Sequence, residues 1–534
     1  MPEDWVLKTP DLIVIACYVV LLVGIGMWVS FRRRGSEDLF LAGRSLGWPN
    51  VGLSIFGTNV SPSFMIASCG IAYSTGMVTA NFEWLAWWFL MLLAMLFVPF
   101  YLGTDIRTMP EFMKRRFGPA AYEFLSWYAL FTTIILWLGG TLFVSGELLS
   151  QIMGWPVWVS VVVLTVIASS FTIAGGLAAV MITDSFQAVL MILGSMLLTA
   201  VGLWKLGGVD KLIAGLPADY WALLRPADDP EYPWHAILLG YPVMGIWFWC
   251  TDQTIVQRVL GARNIEQGQL GAVFAGFLKI LTPLIFMLPG MICFLLFPGL
   301  EEADRTAFMK MVTECLAPLA PGLVGLIVAV LIAAVISTID SGLNSFSTVF
   351  TLDIYVRRFR PNASPAEIRW LGRMTTLFAA CVAVACALAI GTVNKTMFDL
   401  LQSIISFIAP PMAAVFTIGV LWKRATGTAA IVALVLGSIA SLGAGFCQLA
   451  EWPSKAFWPH YLLVSFYLFA GICALMVLVS LATRRSPVEE DLPTMTELYG
   501  TQRTPTRRIW LLWEVLAVIM IGIYVGFQAM SYWL

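Results

Sequence analysis

Charge is what this sequence has least of. Of its 534 residues only 12% are Asp, Glu, Lys or Arg, about half of what a water-soluble domain carries. Histidine is scarcer still, at His235 and His460 alone. The nine cysteines (Cys17, Cys69, Cys250, Cys293, Cys315, Cys381, Cys386, Cys447 and Cys473) are dispersed without a CxxC pair. Such a set offers too few ligands for a metal centre of the usual kind, and the lack of a nucleophile motif argues against a membrane enzyme. Lys plus Arg (31) nearly balances Asp plus Glu (32), so neither nucleic acid nor an acidic or basic partner is implied. Apolar residues fill the space that charge leaves. Hydrophobic residues make up 59% of the chain, the mean hydropathy is +0.85, and 22 residues are Trp, a side chain that anchors at bilayer interfaces. The composition is that of an all-α polytopic protein of the lipid bilayer.

At about 20 residues per crossing, fourteen apolar segments can be counted, at about 11–31, 50–76, 82–104, 120–152, 156–174, 180–206, 235–253, 267–297, 318–354, 368–391, 397–421, 426–449, 458–482 and 509–533. The first follows Glu3, Asp4 and Lys8 and precedes Arg32-Arg33-Arg34, with no small-residue cleavage motif. A secretory signal carries its positive charge in front, so this segment reads as a retained helix with its N-terminus outside. Basic clusters at Arg32-Arg33-Arg34, Lys114-Arg115-Arg116, Arg258 and Arg263, Arg357-Arg358 with Arg360, Lys423-Arg424, and within 484–508 then all fall on one side. That side is expected to be the cytoplasm, with both termini outward. The short loops suggest a bacterial inner membrane. The stretch 484–508 has too few apolar residues to bury and reads as a solvated cytoplasmic linker. An odd number of crossings inverts a second copy, so segments two to six and seven to eleven admit two five-helix halves. The expected boundaries are 1–49 for an extra helix and basic loop, 50–206 and 235–421 for the halves, 207–234 for an outer loop, and 422–534 for three further helices.

The rest of the chain is organised around Val51 to Tyr73. Its middle, Ser54-Ile55-Phe56-Gly57-Thr58-Asn59-Val60-Ser61-Pro62-Ser63-Phe64-Met65, interrupts an apolar segment with residues that free backbone groups and bring polar ones. In hydrocarbon such a break survives only buried in protein or lining a polar cavity. Discontinuous helices of this kind hold ions and substrate in secondary transporters.

A charge inside a span costs at least roughly 2.5 to 3.5 kcal/mol, so each is a functional candidate. Here they are Glu83, Glu147, Asp184, Asp252, Lys279 and Asp340. Glu83 opens the third segment, where the helix dipole also favours a carboxylate. Lys279 lies too deep to snorkel and calls for a carboxylate or several acceptors. Glu147 stands near the outer end of its span and reads as interfacial. Asp252 stands at a helix end near Arg258, where a structural ion pair is expected. In the ninth segment, Ala334 and Thr338 are four apart, as are Ser337 and Ser341, so oxygens stack along one helix face. Hydroxyls and carbonyls are hard donors suited to an alkali cation. The same run also suits close helix packing, and a neighbouring Asp340 and Asp184 favour the ion.

These residues bring out a family pattern. The chain resembles the solute:sodium symporter family, and within it the sodium/glucose cotransporter branch. The resemblance rests on the broken segment at Asn59; Phe82-Glu83-Trp84; Thr108-Met109-Pro110-Glu111-Phe112 with Arg115-Arg116-Phe117-Gly118; Gly175-Gly176-Leu177-Ala178-Ala179-Val180 with Thr183-Asp184 and Gln187; Trp249-Cys250-Thr251-Asp252-Gln253 with Gln257-Arg258; Ser337-Thr338 with Asn344-Ser345; and Gln402-Ser403 leading to Ala409-Pro410-Pro411. It runs over nearly the whole chain. It implies a LeuT-like core of five plus five inverted helices, with one extra helix before and three after. It also implies a sodium ion held by the carbonyls of Gly57, Val60 and Ala334 and the hydroxyls of Ser337 and Thr338. A second, more cytoplasmic sodium position would use Asp184 with Ser341. Asp340 departs from the small hydroxyl residue of glucose cotransporters and would either strengthen that position or bind a proton.

For the cargo, the resemblance implies Asn59, Glu83, Lys279 and Gln402 as partners of sugar hydroxyls, Trp249 as an apolar face for the ring, and Phe82 as an outer lid. A carboxylate, an ammonium and two amides can match groups that both donate and accept. Three departures make the pocket more apolar than the family pattern: Phe64 in place of a histidine, Phe248 in place of a tyrosine, and Gly245 in place of a polar residue. The expected function is sodium-coupled import of a glucose- or galactose-like monosaccharide by alternating access, with Na+ as the coupling ion. The rivals are the same machine with inositol, an amino acid or an organic anion as cargo, and a sugar-gated sensor that passes ions. The oligomeric state is left open.

Overall fold

The computed structural model describes residues 7–32, 39–390, 397–484, 492 and 507–533, and leaves aside the side chains of residues 136 and 397–404. The expectations for Arg33 and Arg34 and for the Gln402 side chain fall outside the described residues, as does most of the 484–508 linker. Of that linker's middle only Leu492 is described, and it is buried.

Among the described residues there is no strand, and ten helices are long and apolar enough to cross a membrane. Each of the fourteen predicted segments falls on helix, but helices and crossings do not count alike. The helix Val157–Leu206 runs for 50 residues, about 75 Å at the usual rise, more than twice the hydrocarbon thickness of about 30 Å. Gly176, at φ 57° and ψ −149°, breaks it between the fifth and sixth segments. A side chain there would also meet the carbonyl of Leu39 at 2.2 Å, so both the angle and the space require glycine.

The second segment breaks where its residues predict. One helix, Trp48–Asn59, ends as Val60 turns extended, and a second, Pro62–Thr75, starts two residues later. Ser61 caps the second helix through its hydroxyl, which accepts the Phe64 N–H at 3.2 Å, and Pro62 sits in the first turn, where its missing N–H costs nothing. The seventh segment is also discontinuous. Trp234–Gly245, with Pro242 inside it, passes into a π-helical turn, Ile246–Thr251, before Asp252 caps Gln253–Leu260. Wide turns of this kind recur at functional sites.

The long helix Val157–Leu206 packs against Leu323–Thr348, and the first half of the broken segment lies against Val157–Leu206 and Ile265–Phe286. Gly57 permits a close approach to two of these helices: a Cβ there would lie 3.1 Å from the Ser337 hydroxyl and 3.3 Å from the Asp184 carbonyl. The break therefore touches the ninth segment where the hydroxyl run is.

Candidate functional site

Two polar clusters flank the break. In the first, Lys279 projects from Ile265–Phe286 with its ammonium 2.5 Å from the Glu83 carboxylate. It also donates to the side-chain oxygen of Asn59, the last residue before the break, and lies 5.0 Å from the centroid of the Trp249 ring. Lys279 is 1% exposed and Glu83 6%. The predicted need of a buried ammonium for a carboxylate is met. Asn59, Glu83, Lys279 and Trp249 are thus brought together from four separate elements.

Phe82 lies half-buried beside them. Its ring meets Tyr241 edge-on at 5.4 Å, and its carbonyl accepts the Tyr241 hydroxyl. Tyr241 was not singled out in the sequence. The available signal was its spacing: Tyr241 and Gly245 share a helix face. At Gly245 a Cβ would meet the Phe89 ring at 2.4 Å, and Phe89 in turn packs on Tyr241 at 5.7 Å. That gives the Gly245 departure a packing reason. The other two departures fill aromatic contacts, Phe64 against Phe286 and Phe248 against both Trp137 and Trp249. Gln402 lies on the helix Met397–Leu421.

The second cluster is centred on Asp184, fully buried on Val157–Leu206. One carboxylate oxygen accepts Ser337 at 2.8 Å, and the other accepts Ser54 at 2.6 Å. Thr338 donates to the Ala334 carbonyl at 3.0 Å. A hydroxyl that gives away its proton keeps two lone pairs, so Ser337 and Thr338 can both face a cation. Gly57, Val60 and Ala334 are buried with them.

Two expectations need correction. Arg258 does not pair with Asp252, whose carboxylate instead caps its own helix through the Thr254 N–H at 2.9 Å. The Arg258 guanidinium, 0% exposed, turns inward. It lies 3.8 Å from Asp184, donates to Ser341, and reaches the Thr58 hydroxyl at 3.4 Å. The reason is that short polar helix caps satisfy Asp252 locally, while a buried guanidinium needs acceptors that only the break and the ninth segment provide. Nor is Ser341 free for an ion. Its oxygen has Arg258 on one side, Thr58 at 3.0 Å on another and Asp340 at 3.3 Å on a third. Three polar neighbours then crowd one hydroxyl. Asp340 is fully buried, and its second carboxylate oxygen has no partner among the described residues.

Other motif residues serve the frame. Thr108 donates to Asp353 at 3.0 Å, Gln253 accepts the Met109 N–H at 2.8 Å, and Gln257 bridges the Phe40 carbonyl, Thr348 and Ser345. Glu147 is exposed on its helix.

A helix broken in mid-span, with two buried polar clusters gathered on the half that ends at the break, defines a secondary transporter of the LeuT fold. A model of the sodium:solute symporter family matches residues 39–437, and the chain belongs to that family. It is 32% identical to sodium/glucose cotransporter 4 of Danio rerio, across 96% of this chain and 84% of that one. It is 31% identical to sodium/glucose cotransporter 1 of Oryctolagus cuniculus, across 89% and 79%. It is 34% identical to a sodium/mannose cotransporter of Bos taurus, across 81% and 78%. Among solved structures, a Na+-coupled sialic acid symporter in a substrate-bound outward-open state superposes with a TM-score of 0.78 at 21% identity, over 90% of this chain and 99% of that one. The nucleobase-cation-symport transporter Mhp1 superposes with a TM-score of 0.53 at 12% identity, over 89% and 98%. These two likenesses concern the fold.

Proposed function

We propose that this protein imports a monosaccharide of the glucose or galactose kind, driven by sodium moving inward with it, by alternating access. The observation that carries the reading is the convergence of Asn59, Glu83 and Lys279 at the break. An amide, a carboxylate and an ammonium beside an indole face are what a ring bearing hydroxyls needs, and the relatives named for sodium with glucose or mannose support it. Gln402 completes the set from Met397–Leu421. Sodium is held by the Gly57, Val60 and Ala334 carbonyls with Ser337 and Thr338, and so clamps the broken segment to the ninth. Phe82, with Tyr241, closes the outer side over the sugar.

Binding of the two cargoes is mutual: whatever factor sodium adds to sugar affinity, sugar adds to sodium affinity. We read the chain as a transporter without an enzymatic step. It crosses a bacterial inner membrane fourteen times with both termini outside, with halves at 50–206 and 235–421.

Uptake of labelled glucose and galactose into proteoliposomes, with an inward sodium gradient and with choline in its place, tests the function. Accumulation that requires sodium and is lost in Glu83→Ala supports it. Sodium-dependent accumulation of inositol or an organic anion instead of either sugar overturns the cargo.

A further inference from the structure

The inner cluster does not balance. Asp184 and Asp340 are both fully buried, and among the described residues the cationic group packed against them is a single guanidinium, Arg258. Among the described residues the other groups around them are neutral: Ser54 and Thr58 from the broken segment, Ser337 and Ser341 from the ninth, and Tyr18, which Gln187 holds at 3.2 Å. The Asp252 carboxylate, at the head of Arg258's own helix, adds a further negative charge near the guanidinium. Two carboxylates share one guanidinium, so the cluster holds one carboxylate more than it can pair, and a bound cation or a proton has to satisfy it. Two atoms show where the compensation is missing. Neither the second oxygen of Asp340 nor Nη1 of Arg258 has a hydrogen-bond partner among the described residues.

Ser341 shows what stands in the way. Its oxygen accepts from Arg258, its hydroxyl faces Asp340, and Thr58 shares a hydrogen bond with it. An ion can use Ser341 only when the guanidinium lets go. The geometry points to Arg258 as a tethered cation that occupies the Asp184–Ser341 position and competes for it with a transported monovalent cation, sodium on the reading above. Asp340, the extra carboxylate, supplies the charge that lets both cations be held when the sodium enters. Arg258 also touches Thr58, one residue before Asn59. Its displacement therefore alters a contact beside the cargo cluster, which makes the exchange a means of coupling the inner side to the break.

The experiment is equilibrium binding of sodium-22 to purified protein without sugar, which isolates this inference from the identity of the cargo. Two variants that differ only at residue 258 are compared. In Asp340→Asn the guanidinium and Asp184 neutralise each other, and the second sodium equivalent is expected to bind roughly tenfold more weakly than in the native chain, a usual size for such a coupling. In Asp340→Asn with Arg258→Gln the cluster regains its native net charge without the competitor. Sodium binding is expected to recover by at least that factor. Arg258→Lys, which keeps a tethered charge, is expected to stay near native. Equal or weaker binding on removing Arg258 from folded Asp340→Asn protein overturns the inference. Native protein that binds no sodium at a first or a second equivalent overturns the sodium reading itself.

Discussion

Lys279 and Glu83 are 196 residues apart in sequence and 2.5 Å apart in space, and neither has any other oppositely charged partner among the described residues. Removing one member strands the other, which costs about 3 to 5 kcal/mol when a pair is buried. Glu83→Gln and Lys279→Gln are each expected to lower the thermal midpoint and abolish uptake. The double variant is expected to regain much of the stability while remaining inactive, as contacting residues do not add independently. Thermal unfolding in detergent and uptake assays on the same preparations check this. Full stability in either single variant would contradict the pairing.

Ser337 and Thr338 each donate their proton elsewhere, to Asp184 and to the Ala334 carbonyl, and keep lone pairs for an ion. Replacing both by Ala is expected to raise the sodium concentration for half-maximal uptake by roughly tenfold or more, within the range of such couplings. Sugar uptake measured against a sodium series is the check, and an unchanged series would remove the two hydroxyls from the ion site.

Arg116, 2% exposed, donates to the carbonyls of Gly419, Trp422, Lys423 and Ala425. It closes the end of the helix that carries Gln402. Arg116→Met keeps the volume but leaves those acceptors without their donor. At roughly 1 to 3 kcal/mol for each group left unsatisfied, it is expected to lower the unfolding midpoint clearly and weaken sugar binding with it. A midpoint equal to the native one would show that the carbonyls find other donors.

Gly290 faces the broken segment's second half so closely that a Cβ would lie 1.9 Å from the Cys69 carbonyl oxygen, whereas at Gly526 a Cβ meets nothing within 4 Å. Backbone cannot yield as a flexible side chain can. Gly290→Ala is expected to abolish monodisperse protein on size exclusion, and Gly526→Ala to leave the profile unchanged.

In the outer loop, burial alone would raise the Asp229 carboxyl. The backbone N–H groups of Tyr232 and Glu231, with Arg225, outweigh that and hold it below the usual carboxylate range. A folded value below the unfolded one contributes stability that is fully present above the ordinary carboxylate pKa and is lost as pH falls through the folded value. Limited proteolysis of the 225–234 turn is expected to accelerate on acidification below about pH 4, the ordinary range for Asp. Asp229→Asn protein is expected to show the faster cleavage at all pH values.

Much of the site was legible because hydrocarbon punishes polarity. Gly57, Asn59 and Pro62 could stand in mid-span only for a reason, and so could Lys279, Glu83, Asp184 and Asp340. Their presence, the helix break and the hydroxyl spacing of Ser337 and Ser341 are local properties, which the order of residues determines by itself. Which charge meets which is not local. Asp252 and Arg258 are six apart and were expected to pair, yet Asp252 caps its own helix and Arg258 reaches Asp184 and Ser341, 74 and 83 residues away. Tyr241 meets Phe82 from 159 residues away, and Phe89, which packs close at Gly245, lies against the same ring. The sequence by itself determined a membrane transporter with an interrupted span and the inventory of its buried charges. Only the tertiary structure decided how that inventory is paired, because a buried charge takes the acceptors that packing brings to it, whatever their distance along the chain.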